Sequence, residues 1–164
     1  MKKVAVFGKP GGGKSTLSKE LAAATGIELY PLDLIEYQKN GQRIPKSDYT
    51  KAHDELINSE NWIIDGLGYL DSFWRRIDAA DTLIYVDLPY YVSYWWVTRR
   101  FLKSIFVEPE GWPEGCSVLK GTLAGWKYLR LSPKFWTPEL FEEIHVRGKD
   151  KDIYRITSVK EINN

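Results

Sequence analysis

The run Gly8-Lys9-Pro10-Gly11-Gly12-Gly13-Lys14-Ser15 has the spacing G-x-x-x-x-G-K-[ST], and each residue type in it answers to a polyphosphate. Phosphate oxygens are crowded and negative. Backbone N–H groups surround them only where no side chain intervenes, and glycine meets that condition. The helix expected from Ser15 adds its N-terminal N–H groups and the positive end of its dipole. The phosphates then lie on Gly11 to Thr16, Lys14 reaches the β- and γ-phosphates, and Ser15 offers a hydroxyl to Mg²⁺.

Two aspartates are candidates to work beside this loop. Asp65 ends the apolar run Trp62–Ile64, and Asp33 ends the run Ile27–Leu32. Asp65-Gly66-Leu67-Gly68 also reads as the D-x-x-G of a GTPase, but nothing matches N-K-x-D, which would recognise guanine. Asp65 therefore fits better as a strand-end carboxylate that holds Mg²⁺ or its waters. A turn-capping aspartate is the alternative.

The elements that must position these groups alternate along the chain. Strands are predicted at Lys2–Phe7, Ile27–Leu32, Trp62–Ile64, Thr82–Leu88 and Ile153–Thr157. Helices are predicted at Ser15–Thr25, Ser47–Ser59, Leu70–Ala79, Tyr90–Lys103 and Val118–Leu131, with a shorter one after Pro138. Asp33–Lys46 and Glu108–Gly115 read as loops. The alternation predicts a single α/β domain with a mostly parallel sheet and helices on both faces. Ligands of such sheets sit at the carboxyl ends of the strands, where the glycine loop, Asp33 and Asp65 all fall.

Composition narrows the rest. The chain has 164 residues, 43% hydrophobic and 27% charged, with a net charge of +1. No overall basic field attracts nucleic acid, and direct nucleic-acid binding is not expected. No apolar stretch approaches a membrane span, and no membrane partner is expected. Met1-Lys2-Lys3 runs directly into the first strand, so no signal peptide is expected. The lone cysteine, Cys116, allows no internal disulfide, and the expected compartment is the cytoplasm.

Other charged and aromatic residues carry paired readings. Arg99, Arg100 and Lys103 share a helix, where they either neutralise a transferring phosphoryl group or form a solvated helix end. Arg75 and Arg76 point apart, so at most one faces a site; the other reading is a surface ion pair with Asp78 or Asp71. Tyr37 and Arg43 follow Asp33 and can meet an acceptor. Tyr90, Tyr91, Tyr94, Trp95 and Trp96 wrap their helix, as core plus a lid or dimer contact, or as an aromatic wall for a ring-bearing acceptor. Trp112, Trp126, Phe135 and Trp136 invite the same two readings. His53 and His145 lack metal-ligand spacing and are expected to be structural.

The blocks "GKPGGGKST", "LYPLDLIEY", "NWIIDGLGY", "RIDAADTLIYVDLP" and "TRRF" resemble, in that order, the small adenylate-kinase-like P-loop proteins of bacteria, a group often labelled DNA topology modulation proteins. The likeness runs from Lys3 to about Lys103. It implies a three-layer nucleoside-monophosphate-kinase fold with strand order 2-3-1-4-5. It also implies Asp33 on the acceptor side, Asp65 near Mg²⁺, Arg76 facing the phosphate or acceptor, and Arg100 clamping the transferred group. Three features depart from adenylate kinases, one being that their long lid, with its own arginine and aspartate set, is not evident. Leu67-Gly68-Tyr69 replaces an aromatic-Pro-Arg that grips AMP, and Trp96 replaces an arginine common on that helix. A helical lid or insert is expected around 104–147.

The expectation is therefore a monomeric or homodimeric ATP- and Mg²⁺-dependent kinase of a small-molecule acceptor. Lys14, Asp33, Arg100 and Arg99 are its catalytic candidates, Ser15 and Asp65 its metal candidates, and Asp33, Arg76 and Tyr37 its substrate candidates. The alternative is a nucleotide-dependent regulatory module acting on DNA topology or a protein partner.

Overall fold

A computed structural model of the chain describes residues 1–38, 42–105 and 117–162. The elements are β1 (Lys3–Gly8), α1 (Lys14–Thr25), β2 (Leu29–Pro31), α2 (Leu32–Glu36), α3 (Lys46–Asn58), β3 (Trp62–Asp65) and α4 (Leu70–Ala79). They continue with β4 (Thr82–Val86), α5 (Tyr90–Ser104), α6 (Val118–Leu131), a 3₁₀ turn (Ser132–Lys134), α7 (Pro138–Arg147), β5 (Asp152–Ile156) and α8 (Val159–Ile162).

The five strands form one all-parallel sheet in the order β2-β3-β1-β4-β5. Its centre is apolar on both faces, as a sheet covered by crossover helices requires. Along β1, Ala5 and Phe7 point to one side, joining Trp62, Ile64, Phe73 and Ile77 under α3, α4 and α7. Val4 and Val6 point to the other, joining Ile63, Ile84, Val86 and Leu88 under α1, α5 and α8. This period of two splits the core into two layers. Trp136 stacks on Phe7 and Tyr85, with ring centroids 6.2 and 5.2 Å apart, so it packs with the first layer, and it also lines a cavity with Lys9, Asp87, Tyr90 and Arg155.

Register aligns the strand ends. Val6 of β1 pairs with Asp65 of β3, which pairs with Pro31 of β2, and Gly8 pairs with Val86 of β4. The glycine loop, Asp65, Asp33 and Asp87 consequently emerge from one edge of the sheet.

The strand ending at Asp33 is shorter than its apolar run suggested, and the residues read as a loop begin with helix α2. Pro31, at φ −69°, precedes the first turn; Leu32 is buried in the core, and Asp33 lies where a helix N-terminus favours a carboxylate. Arg75 pairs with Asp54 of α3, whereas Asp71 pairs with Lys46 and Asp78 with Arg147. The loop read at Glu108–Gly115, together with Trp112 and Cys116, lies outside the described residues. Among the described residues no helix is long and apolar enough to cross a membrane.

Candidate functional site

The phosphate loop leaves β1 at Gly8 and enters α1 at Lys14. No side chain caps the N-terminus of α1, and its first turn holds no acid, so its N–H groups remain open to an anion. α5 backs the loop from outside: an atom added at Gly13 would meet the Trp96 ring at 2.6 Å. Lys14 Nζ donates to the Lys9 carbonyl at 2.8 Å, drawing the ammonium over the loop's concave side. The Lys9 side chain turns the other way. Its ammonium pairs with Asp87 beyond β4 and sits 4.5 Å from the Tyr90 ring centroid, while Arg155 of β5 donates to the other Asp87 oxygen at 2.6 Å. Lys9 is thus a buried anchor for the loop. Asp87 was not singled out from sequence, although its place just past the end of β4 resembles that of Asp65 at the end of β3.

Ser15 and Asp65, fifty residues apart, meet across the end of the sheet: the Ser15 hydroxyl donates to Asp65 Oδ2 at 2.8 Å. Asp65 is 5% exposed, and its Oδ1 is buried with no partner among the described residues. Burial pushes the Asp65 carboxyl up from its ordinary range, while Lys14 and the Ser15 hydroxyl draw it back. A buried carboxylate oxygen beside a hydroxyl suits a hard cation with oxygen ligands, so the residues fit Mg²⁺. No cluster of three or more His, Cys, Asp or Glu exists among the described residues. The ion would therefore draw its remaining ligands from nucleotide phosphates and water, as Mg²⁺ commonly does.

Burial also lowers the Lys14 ammonium. Asp65 and Asp33 oppose that shift, and Arg100 and Lys9 add to it. Lys14, Asp65, Asp33 and Arg100 therefore share one electrostatic neighbourhood, drawn from α1, β3, α2 and α5. Arg99, the exposed residue before it, is not among the charges acting on Lys14. Asp33 itself is exposed on the open side of α2. Tyr37 accepts a hydrogen bond from Arg43 Nε at 3.1 Å, and Arg43 pairs with Glu36 at 3.3 Å. Burial raises the Glu36 carboxyl; Arg43 opposes that shift and Asp33 adds to it. Glu36 went unremarked in sequence because its stretch read as loop. Once α2 is a helix, Asp33 and Glu36 stand on one face at i, i+3.

Arg76, expected beside the acceptor, is fully buried. Its Nη2 donates to the carbonyls of Gly66 and Leu67 at 2.8 and 3.0 Å, and its Nη1 lies 3.3 Å from His53 Nε2. Arg76 thus ties α4 to the turn that follows Asp65 from a fully buried position, where its Nε has no partner among the described residues. Burial lowers its guanidinium to about 10. Burial, with Arg76 and Arg75 alongside, pushes His53 from 6.5 down to about 4.

That depression gives stability an acid slope. Below about pH 6.5 the unfolded chain takes a proton that native His53 refuses until about pH 4. Stability is therefore expected to fall by roughly 3 kcal/mol as pH drops through that window, with no His53 contribution above it. Urea unfolding at pH 7 and pH 4.5 measures the loss. His53→Gln, which still accepts from Arg76, should lose markedly less; equal slopes in both proteins would contradict the assignment.

No protein-family model matches the chain, and no curated protein sequence does. Solved structures do. Shikimate kinase from Acinetobacter baumannii in complex with shikimate is similar with a TM-score of 0.61 at 17% identity, over 96% of this chain and 84% of that one. An unliganded sugar kinase from Janibacter sp. HTCC2649 is similar at 0.52 and 16% identity, over 99% and 90%. Shikimate kinase from Aquifex aeolicus vf5 is similar at 0.50 and 19% identity, over 98% and 88%. The all-parallel sheet and its helices are those of the P-loop kinase α/β fold.

Proposed function

We propose that this chain is an ATP- and Mg²⁺-dependent kinase that transfers the γ-phosphoryl group to a hydroxyl of a small molecule, and that it stands with the adenylate-kinase-like P-loop proteins. The observation that carries the proposal is the hydrogen bond from Ser15 to buried Asp65, formed between the end of a glycine loop and a strand end fifty residues away.

Phosphoryl transfer asks mainly for positioning and charge stabilisation. The loop from Gly8 to Thr16 and the open N–H groups of α1 hold the phosphates. Lys14 leaves the Lys9 carbonyl for the β- and γ-phosphates. Ser15 and Asp65 hold Mg²⁺, which when bound neutralises charge on the phosphate oxygens. Arg100 supports the charge that develops on the transferring group. Asp33 orients the acceptor hydroxyl and takes its proton as the new O–P bond forms and the bond to the ADP oxygen breaks.

The acceptor side supports a neutral, hydroxyl-rich compound. Asp33 and Glu36 offer carboxylates, Arg76 is tied to carbonyls, and Arg43 is paired with Glu36 beside Tyr37. An acceptor carboxylate or phosphate would meet acids there. An ADP-release screen over polyols, sugars, nucleosides, nucleoside monophosphates and shikimate-like acids tests the reading. At least tenfold stimulation by a neutral polyol is expected, cut by about a hundredfold or more in Asp33→Asn. ADP release indifferent to every acceptor would overturn it and mark a nucleotide hydrolase.

A further inference from the structure

We propose that the outward face of the α5–α6 helix pair docks this protein on an anionic lipid surface, independently of the nucleotide site. α5 begins beside the sheet at Pro89, and α6 ends in the turn that returns Trp136 to Phe7, so the two helices run in opposite directions. They meet where Gly125 lies against Val97. On α5, Tyr91, Trp95, Thr98, Leu102 and the adjoining Ile105 recur at intervals of four and three; on α6, Leu119, Leu123, Trp126 and Arg130 do the same. This spacing makes one stripe per helix. With Val97 facing Gly125, an advance of ~100° per residue puts both stripes on one outward side. The opposite side of α5 holds buried Ser93 and Val97 against the phosphate loop.

The stripes are open to solvent: Tyr91 is 75% exposed, Trp95 59%, Ile105 64%, Leu119 52% and Leu123 53%. A folded protein rarely leaves large side chains in such a contiguous array unless something covers it. The charges identify what. The two helices carry Arg99, Arg100, Lys103, Lys120, Lys127 and Arg130 and not one acid. None of the six has an ion-pair partner among the described residues. By helical angle Arg99 and Lys103 flank the α5 stripe on its outer side, and Lys120 and Lys127 flank the α6 stripe on the other. The connecting residues include Glu108, Glu110 and Glu114, so the cations outnumber the acids even across the whole segment.

A second copy docked on this face would oppose cations to cations. Nucleic acid would bring its phosphates to stripes that hold one cation, Arg130, among mostly apolar residues, too few to follow a phosphate backbone. A bilayer satisfies both parts: tryptophan, tyrosine and leucine settle at the headgroup level, while lysine and arginine on the flanks meet anionic headgroups. Arg100, about 180° round α5 from the stripe, stays on the side of Lys14, so a docked enzyme keeps its site open.

Co-sedimentation with vesicles tests this. Vesicles of phosphatidylcholine with one-third phosphatidylglycerol should retain the protein in low salt, and pure phosphatidylcholine vesicles should not. Trp95→Ser and the double variant Lys103→Glu/Lys127→Glu should each weaken binding by roughly tenfold or more, with ATP-dependent ADP release unchanged. No retention by either vesicle overturns the proposal. So does a dimer that dissociates in Trp95→Ser, or an oligonucleotide that binds as tightly as the anionic vesicle.

Discussion

Replacing Lys14 by alanine is expected to lower turnover by about three orders of magnitude, roughly 4 kcal/mol of barrier, while the protein remains folded. Among the described residues the Lys14 ammonium has one hydrogen bond, to the Lys9 carbonyl, so the variant gives up a single part-buried contact. Alanine suits the first turn of α1, and removing a cation that burial disfavours offsets the lost bond. The loss therefore falls on the reaction. Charge that builds on the bridging and γ-oxygens meets no ammonium, and bound nucleotide is held by N–H groups alone. Steady-state ADP release, with circular dichroism as the check on folding, separates the two effects. Turnover within tenfold of the parent would mean that the phosphoryl group is stabilised elsewhere.

Gly8→Ala is expected to give the largest loss of stability, about 4 kcal/mol or more. Gly8 has φ +143°, a region that costs an L-residue on the order of 1–3 kcal/mol. A methyl group there would stand 2.2 Å from the Val86 carbonyl oxygen, which is backbone of the paired strand and cannot swing aside. β1 and β4 would have to part at the place where the phosphate loop begins. Gly26→Ala is the control: φ is +71°, but nothing lies within 4 Å, and only about 1 kcal/mol is expected. Urea midpoints of the two variants measure the difference, and equal midpoints would show that the β1–β4 contact at Gly8 yields.

What could be read from sequence follows the range of the interactions involved. The β1–loop–α1 unit is contiguous, and every residue in it is set by one ligand chemistry, so its bounds came within one residue. Strand β4 begins where expected but ends two residues before the predicted Leu88, while β3, a short apolar run bounded by turn residues, was as plain as that unit. The start of α2 was not, because Leu32 serves equally as the end of an apolar strand or the buried first residue of a helix. Misplacing that boundary hid the shared face of Asp33 and Glu36. Arg76 illustrates the other limit. Its partners lie nine, ten and twenty-three residues away, on a turn and on α3, and no local pattern distinguishes an arginine that holds a turn from one that holds a ligand. Asp87 and Arg155, sixty-eight residues apart, meet only because β5 lies beside β4. Ser15 and Asp65, fifty residues apart, had been singled out together as metal candidates, since one belongs to the glycine-loop motif and the other ends a strand; their hydrogen bond itself was not foreseen.

Isothermal calorimetry of the intact protein with a non-hydrolysable ATP analogue, with and without magnesium, bears most directly on the nucleotide site. One saturable site is expected, with affinity that falls at least tenfold when magnesium is chelated and again in Asp65→Asn. Absence of any heat of binding at millimolar analogue and magnesium, from protein shown to be folded, would contradict the assignment of the glycine loop, Lys14, Ser15 and Asp65 to a nucleotide.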